Sequence, residues 1–241
     1  MPEIAGLDPV ALLLANAAVA AATVVQLAVG LGFAMVGAPL LLLVDPRLVP
    51  GPFAAAAVVV LFCQWRADAG EVPRGLLPST SALVLGTALG MALAAWVPAV
   101  GSRRGCGGII LLCVLLTLAV PNLRTSGRLL AATGLASGVM GGIAAVHGPL
   151  IGLAVSGLPA RALRGFLGAF YLVAQLTVLI MAFPAGRADA TTWPLALALL
   201  PGMAAGALVS PPARRWLVGP RLRVAILTVA TLAGGLLVIV G

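Results

Sequence analysis

The sequence has very few charged residues. Only 8% of its 241 residues are Asp, Glu, Lys or Arg, no residue is lysine, and 62% are hydrophobic. A soluble domain usually has about 25% charged residues, so these few charges could not cover a surface that faces water. Apolar runs of bilayer-crossing length follow one another along the chain instead, which predicts an all-α polytopic membrane protein. The runs lack the period-two alternation of a membrane β-barrel.

Acids, aromatic residues and cysteines are also scarce, and each shortage excludes a class of function. The six acids all fall in predicted tails or loops, so the spans lack carboxylates for a metal site or a cation-coupled carrier. The arginines lie singly or in pairs at the ends of apolar runs, without aromatic stacking platforms, and this excludes a nucleic-acid partner. The three cysteines form no CxxC motif and are predicted to be small buried hydrophobes.

The single histidine argues against a membrane-embedded hydrolase. The stretch "GLASG" over residues 134–138 has the look of a serine motif, but Ser137 and His147 lie in the same segment and no second histidine exists. A catalytic triad needs its nucleophile and its base on facing elements. We therefore predict that the chain is not an enzyme and uses no metal or other cofactor.

Eight apolar segments predict about eight transmembrane helices. They cover residues 10–44, 52–66, 79–98, 107–121, 128–156, 162–183, 192–210 and 222–240. A span needs about 20 apolar residues, so the first and the fifth segments are too long. Each carries several glycines and a proline in its later part, and these residues weaken or interrupt a helix. Each is predicted to be an interrupted span or a helix followed by a re-entrant piece.

Corresponding features recur at a nearly constant distance along the chain. Pro39 and Pro149, in the two broken segments, are 110 residues apart. This predicts two repeats of about four spans each, over residues 1–122 and 123–241. Two pairs of the small-xxx-small type also correspond, and we assign them to close helix packing alone: Gly86/Gly90 and Gly202/Gly206.

The distribution of arginines predicts the orientation. With eight spans, nine arginines fall in the loops after odd-numbered spans and five on the opposite side. Arginine marks the cytoplasmic side of a membrane. We therefore expect a multi-pass protein of the bacterial inner membrane with both termini on the non-cytoplasmic side; a re-entrant hairpin would change part of this assignment.

The two breaks are the strongest candidates for a substrate site. Paired broken helices in corresponding positions mark the binding sites of many transporters, because a helix that restarts inside the membrane presents free N–H groups and a positive dipole end to an anion. The restarts are expected near Pro39 and Pro149. The alternative is that the glycines only permit close packing. The candidate substrate-binding residues are Gly32, Gly37, Pro39, Ser137, Gly138, Gly141, Gly142, His147, Gly148 and Pro149.

His147 lies just before the second expected restart. It can hydrogen-bond an anion or couple proton movement to transport, or it can be a neutral histidine bonded to a carbonyl that the break leaves free. Five further residues are candidates to line a polar path: Gln26, Gln64, Arg164, Tyr171 and Gln175. Their alternative role is interhelical hydrogen bonding or, for Arg164, a position at the membrane interface.

The two glycine-rich motifs resemble the TauE/SafE family of sulfite exporters and related anion permeases. The motifs are "GLGFAMVGAPLLLLV" in the first half and "GLASGVMGGIAAVHGPLIGLAVSGLPARALRGFLGAF" in the second. The sequence departs from the family at Phe33 and Ala34, where smaller residues are expected, and at Ala145 and His147, which are commonly glycine. The resemblance implies export or uptake of small anions such as sulfite, organosulfonates or related organic acids.

These observations predict a membrane transporter of small anions that works by alternating access at a site between two broken helices. Its expected partners are the anionic substrate and the lipid bilayer. The sequence leaves open whether the chain forms a homo-oligomer. The alternative is a membrane assembly or scaffold subunit that transports nothing and whose glycines serve packing alone.

Overall fold

The structure is a computed structural model that describes residues 6–68, 75–97, 102–119, 126–147, 150–216 and 220–241; within residues 213–216 and 220–223 it describes only the backbone. The described residues form ten α-helices and no β-strand. The helices are α1 (Pro9–Val29), α2 (Phe33–Val44), α3 (Gly51–Asp68), α4 (Leu76–Trp96), α5 (Arg103–Ala119), α6 (Gly127–Ala144), α7 (Leu150–Ala154), α8 (Ala160–Ala182), α9 (Thr192–Trp216) and α10 (Pro220–Val240), with a 3₁₀ turn over Pro46–Leu48.

The surface of the helix bundle is apolar, as a lipid-facing surface must be. Leu13 and Leu208 are 70% and 80% exposed, whereas Gln26 and Gln64 are buried in the interior. This distribution is the reverse of that in a soluble protein. Four stretches are long and apolar enough to cross a membrane: Pro9–Val29, Leu76–Trp96, Ala160–Ala182 and Thr192–Pro212. The predicted all-helical membrane fold is confirmed at this level.

Local signals explain where α1 begins and ends. The Asp8 side chain accepts hydrogen bonds from the backbone N–H groups of Val10 and Ala11, both at 2.9 Å, and Pro9 occupies the first turn, where it costs no hydrogen bond. Gly30 ends the helix with φ +93°. A left-handed residue at this position stops a helix and favours glycine.

The first broken segment is a helical hairpin. Gly37 of α2 lies against Ala22 of α1, and the guanidinium of Arg47, just after α2, donates to the Gly6 carbonyl at 3.0 Å. The chain after α2 has therefore returned to the place where α1 begins. Of the two alternatives for residues 10–44, the structure has a helix followed by a shorter helix that runs back.

Contacts between helix termini divide the bundle into two ends. One end, here called the Gly6 end, also contains Gly51 beside Thr192, and Arg103 beside Gly241. The opposite end, here called the Asp68 end, is where the last residue of α3 contacts the beginning of α8. It follows that α1, α3, α5 and α9 run from the Gly6 end to the Asp68 end, and that α4, α6, α8 and α10 run the other way.

Glycines form the two most extensive helix contacts, which are α4 with α6 and α1 with α9. A Cβ at Gly86 or Gly90 would overlap the α6 backbone at Leu135 and Val139. A Cβ at Gly202 or Gly206 would overlap the α1 backbone at Asn16 and Ala20 in the same way. The assignment of both glycine pairs to close packing is confirmed.

Asn16 joins α1 to α9 by hydrogen bonding two backbone groups of α9. Its side-chain nitrogen donates to the Ala198 carbonyl at 3.0 Å, and its side-chain oxygen accepts from the Gly202 N–H at 2.6 Å. These two backbone groups are the ones that an uninterrupted α9 would pair with each other. The insertion keeps both satisfied inside the bundle, as an apolar surrounding requires.

Candidate functional site

The first break lies at Gly30–Gly32. Both glycines have positive φ, +93° and +112°, a conformation that side-chain-bearing residues rarely adopt. The helix restarts at Phe33, and Pro39 lies inside α2. The expected restart near Pro39 is therefore wrong. The proline interrupts α2 only by removing the helical hydrogen bond to the Met35 carbonyl.

A pair of glutamines holds the first break together. The Gln26 side chain accepts from the Phe33 N–H at 3.0 Å and donates to the Gly30 carbonyl at 2.8 Å, so it connects both sides of the gap. It also donates to Gln64 of α3 at 2.8 Å. Gln64 in turn donates to the Arg164 carbonyl of α8 at 3.1 Å. The break is thereby fixed to both α3 and α8.

Two backbone donors at the start of α2 stay free. Phe33 is bonded to Gln26 and Val36 to the Gly32 carbonyl, but the N–H groups of Ala34 and Met35 have no acceptor among the described residues. Free N–H groups in the first turn, together with the positive end of the helix dipole, favour a negatively charged ligand.

At the second break, α6 ends at Ala144 and Ala145 adopts φ +57°. The chain then folds back, so that the His147 imidazole lies against the Cα of Gly141. His147 is 1% exposed, and neither ring nitrogen has a hydrogen-bond partner. Buried polar atoms are nearly always paired. Two unpaired nitrogens on one buried ring indicate unused binding capacity.

The two breaks meet at a small central cavity of about 20 Å³. Its walls are Gln26, Gly32, Phe33, Ala34, Met35, Leu61, His147, Tyr171 and Gln175. A cavity of this volume holds about one water molecule. An anion larger than water therefore fits only if His147 or the surrounding helices move.

Two further buried polar atoms lack partners near this cavity. The Gln175 side-chain oxygen is unpaired and Gln175 lines the cavity. The Ser137 hydroxyl is also unpaired, and it lies one turn before Gly141 on the same face of α6. The cavity wall thus has two side chains with unused polar atoms, His147 and Gln175, and Ser137 carries a third on α6, one turn from the glycine that His147 contacts.

The structure separates the candidate residues into groups. Gly32, His147, Gln26, Tyr171 and Gln175 line the central cavity, and Gly141 makes room for the imidazole. Gly37 lies against Phe53 and Ala22. Contrary to expectation, Gly138 and Gly142 do not line the cavity but pack on the α4 backbone. Gly148 and Pro149 lie outside the described residues.

Gln64 and Arg164 support the site from outside its wall. Gln64 contacts the break through the hydrogen bonds described above. Arg164 donates from two nitrogens to the Asp68 carboxylate, at 3.0 and 2.9 Å, and its Cγ packs so close to Gly30 that a Cβ there would be 2.9 Å away. Arg164 therefore fixes the beginning of α8 to the first break and to the end of α3.

Four residues of the wall and one cation were not predicted as site residues. Phe33, Ala34, Met35 and Leu61 line the cavity, and Ala34 and Met35 contribute backbone donors that their side chains do not reveal. Arg187, in the loop after α8, donates to the carbonyls of Gly142 and Ile143 at 2.6 and 2.8 Å. From the sequence, Arg187 counted only as one of the loop arginines that predict the orientation. Within the described residues no cluster of three metal-ligating side chains occurs.

Comparison with known proteins supports one assignment. No curated protein and no solved structure matched the chain. The family model described as Sulfite exporter TauE/SafE matches residues 14–237, which include both breaks and all of the cavity wall. Members of this family are membrane transporters. The chain belongs to the TauE/SafE sulfite exporter family.

Proposed function

We propose that this membrane protein transports a small anion, with sulfite as the first candidate, by alternating access at the central cavity. The observation that carries the proposal is the meeting of two breaks at one buried place. The first break contributes the free N–H groups of Ala34 and Met35, and the second contributes the unpaired nitrogens of His147. All four can donate to the oxygens of an anion, given the appropriate protonation of the ring.

The charge around the cavity favours an anion over a cation. No acidic side chain is among the described residues of its wall. A cation inside a membrane protein usually needs a carboxylate or a ring of carbonyls. The wall instead combines backbone N–H groups, an imidazole and an amide, all of which can donate hydrogen bonds to a negatively charged ligand.

The helix contacts support two inverted repeats of five helices each. In this proposal α1–α5 form the repeat of residues 1–122, and α6–α10 form the repeat of residues 123–241. Each principal contact then has a counterpart: α1 with α9 corresponds to α6 with α4, α3 with α9 to α8 with α4, and α2 with α10 to α7 with α5. Corresponding helices run in opposite directions, because the first helix of each repeat starts at a different end.

The five-helix repeat revises the predicted count of four spans. A hairpin adds one crossing to each half, and an odd number of crossings makes the second half run opposite to the first. Inverted repeats that exchange their conformations provide the two states of an alternating-access transporter. The central cavity lies where the broken helices of the two repeats meet, as this mechanism requires.

We further propose that the Asp68 end faces the cytoplasm. Of the arginines in the described residues, eight lie at the Asp68 end and four at the Gly6 end. The four are Arg47, Arg103, Arg104 and Arg187. The excess marks the cytoplasmic side, which leaves both chain termini on the opposite side, as expected from the sequence, although several arginines exchange sides with respect to the eight-span arrangement.

The Asp68 end is closed by contacts between the repeats. The Arg164–Asp68 ion pair at 2.9 Å and the bond from Gln64 to the Arg164 carbonyl both join α3 to α8. Gly165 and Gly168 bring these helices close together. A path from the cavity to this end requires α3 and α8 to separate, so we propose this pair as the cytoplasmic gate.

Flux into proteoliposomes tests the proposal. Purified protein is reconstituted, and uptake of sulfite, sulfate, acetate and a small organosulfonate is compared with uptake of sodium and with protein-free vesicles. We expect saturable sulfite uptake that His147→Ala alters in KM by about tenfold, the effect of one hydrogen bond to a charged ligand. If no anion enters faster than in protein-free vesicles, the transport proposal is wrong and a scaffold role is favoured.

A further inference from the structure

A second cavity, with a volume of about 240 Å³, opens at the Gly6 end. It lies between the end of α2, the 3₁₀ turn, the beginning of α5 and the loop after α8. Its walls are Leu42, Pro46, Val49, Pro50, Arg103, Cys106 and Arg187. This volume is about twelve times that of the central cavity, so a small anion fits here without the rearrangement that the central cavity requires.

Both charged side chains in this wall are arginines, and within the described residues no carboxylate lines it. The nearest relevant acid is Asp45, whose carboxylate accepts from the Nε and a terminal nitrogen of Arg47 at 3.0 and 2.6 Å. The hydrogen bonds from Arg47 lower the pKa of the Asp45 carboxyl, and the charge of Arg103 lowers it further, so that acid is ionised and offsets part of the charge of Arg47 and Arg103. The two wall arginines supply the remaining charge, which is positive.

Arg187 is held rigidly in the wall. Two of its nitrogens donate to the carbonyls of Gly142 and Ile143, and a guanidinium has five N–H donors, so three remain. The structure describes no ion pair for Arg187, although Asp189 is close in sequence; that carboxylate bonds to Thr191 instead. Burial lowers the pKa of the Arg187 guanidinium, yet an arginine stays protonated in proteins. A partly buried cation without a counter-ion favours an anion from solution.

The second cavity is connected to the second break. Gly142 and Ile143, which Arg187 contacts, follow Gly141 directly, and the His147 ring lies against Gly141. Cys106, in the same wall, contacts the Ile143 carbonyl through its Sγ at 3.7 Å. An anion held by Arg187 would therefore lie close to the end of α6 from which the second break begins.

We propose that the cavity lined by Arg103 and Arg187 is a second anion-binding site, which holds a small oxyanion at the Gly6 end before or after its passage through the central cavity. The ligand class is an anion with at least two oxygens, such as sulfite or sulfate, because two forked guanidinium groups match separate oxygens. The site deepens the proposed function and rests on it for its role in passage, but its binding of an anion is independent of transport.

Equilibrium binding of sulfite to the purified full chain in lipid nanodiscs, measured by calorimetry, tests this site. Arg103→Gln removes one wall cation that makes no hydrogen bond in the described structure, and we expect it to weaken sulfite binding about tenfold. Arg187→Lys keeps the charge but loses the fork, and we expect a smaller loss. Arg104→Gln is the matched control, because its side chain is exposed next to Arg103 and does not line the cavity.

His147→Ala separates the two sites in the same assay. The second site predicts that sulfite still binds to His147→Ala and that this residual binding is lost in the double variant with Arg103→Gln. The inference is overturned if Arg103→Gln and Arg187→Lys bind sulfite like Arg104→Gln, or if His147→Ala alone abolishes all binding. Sulfite binding that depends on Arg103 without any flux in proteoliposomes would instead keep this site and reject the transport proposal.

Discussion

The two helix breaks satisfy their backbone in different ways. At the first break the Gln26 side chain bonds both edges of the gap, and Gln64 and Arg164 attach it to α3 and α8. At the second break the polar side chains nearest the gap, His147 and Ser137, make no hydrogen bond to the protein. The first break is therefore fixed by side chains and offers only backbone donors to a ligand. The second break has side-chain polar atoms that make no hydrogen bond to the protein.

This difference predicts that the first break matters for stability and the second for binding of the proposed anion. Removing a side chain that satisfies buried backbone groups leaves them unpaired, at a cost of about 1–3 kcal/mol. Removing a side chain whose polar atoms are already unpaired costs little or is favourable. Substitutions at the first break should thus lower stability, and those at the second should change the response to the anion.

Gly141→Ala should have the largest effect. A Cβ at this position would overlap the His147 ring, so the imidazole must leave its place, and overpacking of this kind costs about 1–3 kcal/mol. We expect a lower midpoint of thermal unfolding in detergent and at least about tenfold slower sulfite uptake. The double variant Gly141→Ala/His147→Ala should recover the unfolding midpoint, because the overlapping ring is gone.

Gly235→Ala is the matched control for this substitution. Gly235 lies in α10, and a Cβ there meets no atom within 4 Å, so alanine should leave unfolding unchanged or raise its midpoint slightly. If Gly141→Ala behaves like Gly235→Ala, the His147 ring is not held at this position. If the double variant is as unstable as Gly141→Ala, the overlap is not the cause.

Gln26→Leu and Gln175→Leu compare the two kinds of glutamine directly. Both side chains are buried, but Gln26 bonds Phe33, Gly30 and Gln64, whereas the Gln175 oxygen has no partner. We expect Gln26→Leu to lower the free energy of unfolding by about 1–3 kcal/mol. Gln175→Leu should leave unfolding nearly unchanged and raise the KM for sulfite. Equal destabilisation by both would show that the breaks do not differ in this respect.

Asp68→Asn should loosen the first break from α8. The Arg164–Asp68 pair is partly exposed, with side-chain exposures of 26% and 11%, so its loss costs about 1 kcal/mol or less. We expect faster amide hydrogen exchange at residues 30–36, with no change at residues 140–147. Asp189→Asn is the control, since Asp189 is exposed and the described hydrogen bonds of its carboxylate come only from Thr191. Equal exchange in both variants would contradict the proposed cytoplasmic gate.

Much of the fold could be predicted from the sequence, but the position of the first break could not. Pro39 was expected to mark the place where the helix restarts, yet α2 continues through it. One missing hydrogen bond does not end a helix that is otherwise complete. Gly30 ends α1 and Gly32 precedes the start of α2, both with positive φ. Gly37 has no such φ and permits close packing. Glycines that turn and glycines that pack look alike in a sequence.

The direction of α2 is a second property that composition does not contain. An interrupted span and a hairpin need the same breakers, and contacts such as that of Arg47 with Gly6 distinguish them. In the proposed repeats, the hairpin raises the number of crossings in the first half from four to five, and the second half is proposed to match it. The proposed orientation of the termini is unaffected, because both halves change together.

The polar side chains that line the central cavity were among the predicted candidates, and its backbone donors were not. His147, Gln26 and Gln175 are unusual residues for a span, and each lines the cavity. Ala34 and Met35 are ordinary apolar residues whose contribution is an N–H group, visible only when the helix start is known. Arg187 lies far in sequence from the break that it contacts, so only folding brings them together.

Ser137→Ala should have the smallest effect and is the most selective test of the second break. The hydroxyl has no partner, so its removal should change the free energy of unfolding by less than about 0.5 kcal/mol. Ser137 lies one turn before Gly141, on the face of α6 that contacts His147. If the hydroxyl donates a hydrogen bond to the bound anion, its removal should lower sulfite affinity by about threefold, as for one weak hydrogen bond.

Thr133→Ala supplies the contrast, one turn earlier on the same helix. The Thr133 hydroxyl already donates its proton to the Leu129 carbonyl at 2.8 Å, so it has no free donor for an anion, and its removal should leave sulfite affinity unchanged. A threefold loss in both variants would trace the effect to α6 packing against α4. A loss in neither would confine the binding groups of the second break to His147, because Ser137 would then be an unpaired hydroxyl without a ligand.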